Sequence, residues 1–162
     1  MEMTHYMELL SANQPWNLLI FMAGPVLLAE TLAISELYLL FTRNFDGLAR
    51  KLNRISGLIA GIYFLGVFIY LFKNVVIPVS TAGEWRTFID VLAVGFYLSG
   101  VVPLFGMTLL ESGIIARKSD RLTKLKIHAV FVAIFLVVAH VAMIAGMMSP
   151  AVVKNAGGAM HM

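Results

Sequence analysis

The sequence predicts an all-α integral membrane protein, built as an antiparallel four-transmembrane-helix bundle with both termini outside. Three observations carry this. The 162 residues are 60% hydrophobic and only 13% charged, with a mean hydropathy of +0.87, against roughly 25% charged residues in an ordinary soluble domain. Four apolar stretches are each long enough to cross a hydrocarbon core, which takes about 20 helical residues. Nine of the twelve Lys and Arg residues fall in two short connectors. A soluble core of this size cannot hide so much apolar surface, which excludes a soluble enzyme and a nucleic-acid module.

The chain reads as a single membrane domain, residues 1–162, with outer tails at 1–15 and 149–162. The stretches run from about Trp16 to Phe41, Ile55 to Pro78, Trp85 to Glu111 and Ile127 to Met148. They are continuous rather than alternating, so each is expected as a helix that satisfies its own backbone hydrogen bonds. The connector Thr42–Arg54 carries Arg43, Arg50, Lys51 and Arg54, and Gly113–Lys126 carries Arg117, Lys118, Arg121, Lys124 and Lys126. Val79–Glu84 carries neither Lys nor Arg. The positive-inside rule places the basic connectors in the cytoplasm, and Trp16 and Trp85 then fall at the outer interface where indoles concentrate. A bacterial-type inner membrane is the expected location. The first 15 residues hold two Glu and no Lys or Arg, unlike the basic start of a signal peptide.

Pro25 and Pro103 fall inside the first and third stretches, as tolerated membrane prolines or as bends that open a cavity. Gly57 and Gly61 form a small-xxx-small pair that suits close helix contact.

Ionisable groups at membrane depth are the candidates for function, since each costs about 2.5–3.5 kcal/mol on insertion scales unless it meets a partner or water. Glu30 falls near the midplane, with His140 roughly 5 Å outward at 1.5 Å rise per residue, and Ser99 at a similar level. These three are expected to form a central rung, with Glu30 bonded to His140, or in the bland case to Ser99 or Tyr63. Glu36, His128 and Glu111 fall on the cytoplasmic half and are expected to line an exit, with Glu111 paired to Arg117 or Lys126. Lys73 and Asp90 fall on the outer half at similar depth, as a pair.

Methionine and histidine cluster on the outer side. Met1, Met3, Met7, Met160 and Met162 lie in the tails, with His5 and His161 among them, and Met143, Met147 and Met148 lie at the outer end of the fourth stretch. His140, Met143 and Met147 are spaced i, i+3, i+7 on one helix face. Imidazole and thioether without thiolate suit Cu(I), while one His and one Met also ligate haem iron. The leading expectation is therefore a protein that binds and passes a metal cation. Met3, His5, Met7 and His161 would capture the ion, Glu30, His140, Met143 and Met147 would hold it, and Glu36, Ser99, Glu111 and His128 would line its path. Copper leads, and the carboxylates favour iron instead. The alternatives are a b-type cytochrome or quinone-linked subunit with haem on His140, and a non-catalytic accessory subunit. The partners are the lipid bilayer and a second copy or larger membrane complex, with no nucleic acid. Zero cysteines exclude thiolate chemistry, and neither a P-loop nor an HExxH pair is present.

Overall fold

The computed structural model describes residues 3–148. It is all-helical, with no strand among the described residues. Four helices are long and apolar enough to span a membrane: α2 (Trp16–Thr42), α3 (Leu48–Ala82), α4 (Phe88–Glu111) and α5 (Arg121–Met147). A short helix, α1 (His5–Ser11), precedes them. Large side chains such as Ile34, Phe41, Ile62, Phe88, Val102 and Val137 are exposed on the outside, as an integral membrane protein requires.

The helices run past the apolar stretches at their basic ends. Residues 48–54 open α3 and residues 121–126 open α5, because Lys and Arg are good helix formers and their stems reach back along apolar surface. Asp120 caps α5, its carboxylate accepting the Thr123 N–H at 3.1 Å. These hydrogen bonds from Thr123 hold the Asp120 carboxyl below its ordinary range. Pro78, expected to end the second helix, lies inside α3, which continues to Ala82 and stops where Gly83 turns left-handed (φ 68°). Glycine takes that conformation without strain.

Prolines shape α2 and α3 by one device. A five-residue π-helical segment lies just before each, Leu19–Ala23 ahead of Pro25 and Phe72–Val76 ahead of Pro78. The wider turn makes room for a ring that would otherwise strike the carbonyl four residues back. It also leaves carbonyls without their usual donors. Gly24 N–H donates to Leu19 O, not to Ile20 O, and the α-helical donor for Phe21 O would be the N–H that Pro25 lacks. Tyr63 and Tyr97 supply the missing bonds, their hydroxyls donating to Ile20 O (2.7 Å) and Phe21 O respectively. In α4 the chain breaks at Gly100, three residues before Pro103.

α3 packs against α2 and α4, and α5 against α4 and, more lightly, α2. The α3–α4 contact is close. A Cβ on Gly61 would overlap the Thr108 side chain and the Leu104 backbone, and the Thr108 hydroxyl reaches the carbonyls of Gly57 (3.1 Å) and Leu58 (3.2 Å). The small-xxx-small pair thus serves close packing as expected. The middle of the core is apolar, with Leu32, Ala93, Leu104 and Met107 buried around Phe64, whose ring lies 5.3 Å from Tyr97 and 5.8 Å from Phe135.

Residues 3–15 are not simply a tail. Thr4, Tyr6 and Leu10 are buried. The Thr4 hydroxyl caps α1 and donates to Gly146 O at 2.8 Å, and Tyr6 packs on Tyr97 (5.1 Å between rings). Burial pushes the Tyr6 hydroxyl up to about 12. α1 therefore sits across the end of the core opposite the basic connectors.

Candidate functional site

The structure sorts the sequence candidates into two buried polar groups, one at each end of the core, and one exposed stripe. At the basic end, His128 is fully buried on α5, and its Nδ1 faces Glu36 Oε1 on α2, itself buried. The other ring nitrogen, Nε2, is buried without a hydrogen-bond partner among the described residues. It lies against Gly57 of α3, where a Cβ would stand 2.8 Å from Nε2 and 3.6 Å from Glu111 Cγ. Glu111 closes α4 and takes both arms of Arg50, at 2.9 and 3.0 Å. Arg50 also donates to Asn53 (3.1 Å), and Asn53 to the Ser35 hydroxyl (3.1 Å). Four helices thus bring two polar groups, Glu36–His128 and Ser35–Asn53–Arg50–Glu111, together on either side of Gly57. Glu111 pairs with Arg50 instead of the expected Arg117 or Lys126, because Arg50 stands on the helix that packs against α4, where its planar fork meets both carboxylate oxygens.

At the opposite end, Asp90 is fully buried and is held by His5 rather than by Lys73. It accepts the His5 backbone N–H at 2.7 Å and faces the ring Nδ1. Lys73 is exposed on α3. Arg86 completes this end by reaching the Met3 carbonyl and donating to Glu8 at 2.7 Å. His5, expected as an outer capture ligand, is thereby engaged through Nδ1. Met3 is exposed and Met7 half-buried. Met1 and His161 lie outside the described residues.

The central rung is not assembled inside the core. Glu30, Ser99 and His140 are all exposed, and no hydrogen bond or ion pair joins them among the described residues. Ser99 donates to Phe96 O at 2.7 Å and Tyr63 to Ile20 O, so neither meets Glu30. The cause is helix rotation: six residues turn a side chain by about 600°, so Glu30 and Glu36 stand about 120° apart on α2. Only one faces inward, and it is Glu36. The same holds on α5, where twelve residues separate His128 from His140. His140 Nδ1 donates to Leu136 O at 2.6 Å, and Met143 and Met147 are exposed near it, at 36% and 61%. Among the described residues no group of three or more His, Asp or Glu is placed to hold a metal.

Sequence reasoning placed Glu36 and His128 on the cytoplasmic half but did not join them, and it missed Arg50 and Asn53 as members of the cluster. Arg50 and Asn53 carried a signal: they are i, i+3 with Gly57 four residues further, the face that packs on α4.

The chain belongs to DUF6803, a family of unknown function. It matches that family over residues 1–162. No curated protein and no solved structure matches it.

Proposed function

We propose that this protein binds a soft cation, Cu(I) first, on the exposed stripe of α5. In this reading it is an antiparallel four-helix bundle of a bacterial inner membrane, with the basic end in the cytoplasm and both termini outside. The state of His140 carries the reading. A carbonyl can only accept, so the bond to Leu136 O fixes the hydrogen of the neutral ring on Nδ1. The lone pair is then on Nε2, on an exposed side chain that shares its helix face with Met143 and Met147. Backbone orientation of this kind is how ligating imidazoles are commonly held. One nitrogen and two thioether sulfurs select a soft metal.

Met3, Met7 or His161, or the same stripe of a second copy, supplies the remaining donor. Glu30 supports a second copy or a larger membrane complex, because an exposed carboxyl near the middle of α2 needs a partner in lipid. The reading is of binding and hand-over rather than conduction through one chain, since Leu32, Phe64, Leu104 and Met107 fill the middle of the core. Glu36, Ser99, Glu111 and His128 are left out of the cation's path on that account.

The second reading is a b-type cytochrome with haem on His140, favoured by the same outward Nε2; a bis-His centre would take His140 from two copies. An absorption spectrum of purified protein, air-oxidised and then dithionite-reduced, separates the two. A featureless spectrum, with Cu(I) bound by the wild type and bound at least tenfold more weakly by His140→Ala, is the expected result. Equal Cu(I) affinity in His140→Ala overturns the site. A Soret band lost in His140→Ala replaces it with haem, and colourless, metal-free protein held by membrane partners leaves an accessory subunit.

A further inference from the structure

The cluster at the basic end is a second site, independent of the exposed stripe. The groups against His128 come from the other three long helices: Glu36 of α2 faces its Nδ1, and Gly57 of α3 and Glu111 of α4 lie on its Nε2 side, with Arg50, Asn53 and Ser35 joined to Glu111 by hydrogen bonds. The charged members are Glu36, Arg50 and Glu111. A cleft of about 390 Å³ at this end is lined by Arg50 and Glu111, room for several waters at about 30 Å³ each. Glu111 thus lies between the cleft and Gly57, on whose surface His128 Nε2 rests.

A buried imidazole nitrogen without a partner is uncommon. Packing alone would be better served by an apolar ring, and no such ring would need Glu36 on its far side. We propose that His128 is a proton-binding site that exchanges its Nε2 proton with water in the cleft by way of Glu111, while Glu36 orients the ring and Arg50 holds Glu111 between transfers. With His128 protonated, Glu36 and Glu111 ionised and Arg50 charged, the cluster is neutral. Glu111 swings from Arg50 towards Gly57, the Nε2–H bond breaks and an O–H bond forms on Glu111. That O–H then breaks to a cleft water, Glu111 returns to Arg50, and the cluster is left with one negative charge. The remaining ring proton stays on Nδ1, donated to Glu36.

The test is nitrogen-15 NMR of the full chain in lipid nanodiscs with labelled histidine, the His128 signals being assigned by their loss in His128→Gln. We expect the His128 Nε2 site to exchange protons measurably with water. We expect its exchange with water to slow on the order of 100-fold in Glu111→Gln, the usual scale for losing a positioned acid–base group, and to quicken in Arg50→Gln. The His140 ring, remote from Glu111, keeps its rate in both variants. A His128 Nε2 site that does not exchange protons with water in the wild type overturns the proposal with no variant needed. An unchanged His128 exchange rate in Glu111→Gln overturns the route.

Discussion

Asp90 takes both its partners from one residue, accepting the backbone N–H of His5 at 2.7 Å and facing the ring Nδ1 of the same residue. That pair ties α1 to the first turn of α4 across 85 positions of sequence. Asp90 is fully buried and His5 nearly so, at 0% and 16% side-chain exposure, so the interaction is shielded from screening. Asp90→Ala should weaken the seat of α1 by about 2 kcal/mol, the scale of hydrogen bonds to a charged group. Hydrogen–deuterium exchange over residues 5–11 measures this, and protection equal to wild type would contradict it.

Alkaline pH should loosen the same element through Tyr6. Its hydroxyl is raised by burial from 10.0 to about 12. A raised value in the folded state means that the stabilisation is complete below the unfolded value and is lost as pH rises through the folded one. Exchange protection of α1 should therefore be flat up to about pH 10 and fall between about 10 and 12, after correction for the intrinsic rate. Tyr6→Phe removes the dependence, and a fall of the same size in that variant would assign it elsewhere.

Two glycines of α3 should respond oppositely to alanine. At Gly61 a Cβ overlaps Thr108 and the Leu104 backbone, and backbone does not yield as a flexible side chain does. At Gly66 a Cβ meets nothing within 4 Å. Gly61→Ala should destabilise by about 1–3 kcal/mol through overpacking, whereas Gly66→Ala should be neutral or gain up to about 1 kcal/mol. Unfolding in mixed detergent micelles measures both, and equal effects would refute the close α3–α4 contact.

The hydroxyl of Tyr97 and the ring of Pro25 should be coupled. Tyr97→Phe leaves Phe21 O without that donor and should cost about 1–3 kcal/mol. In a Pro25→Ala background the backbone regains an N–H at residue 25, and the loss on Tyr97→Phe should shrink by about 1 kcal/mol in a double-mutant cycle. Additive effects would mean that Tyr97 acts through its ring alone.

Depth and environment are legible in the chain alone. Apolar length, basic connectors and tryptophan positions follow from the cost of moving charges and unpaired backbone groups into hydrocarbon. They located four spanning segments, put both basic connectors at one end, and set Glu36 and His128 on the same half and Lys73 at a depth similar to Asp90. Tertiary structure decided rotation, and with it the partners. Glu30 and Glu36 share a helix but stand about 120° apart, and hydropathy is blind to which of them faces inward. The packing of α3 against α4 at Gly57 and Gly61 brought Glu111 and Arg50 together, and the packing of α5 against α2 placed His128 against Glu36. At the other end, α1 folded back to give Asp90 the partner that an exposed Lys73 did not. Pairings between residues 85 or 92 positions apart leave no periodicity in the chain, because they depend on angles that only neighbouring helices set.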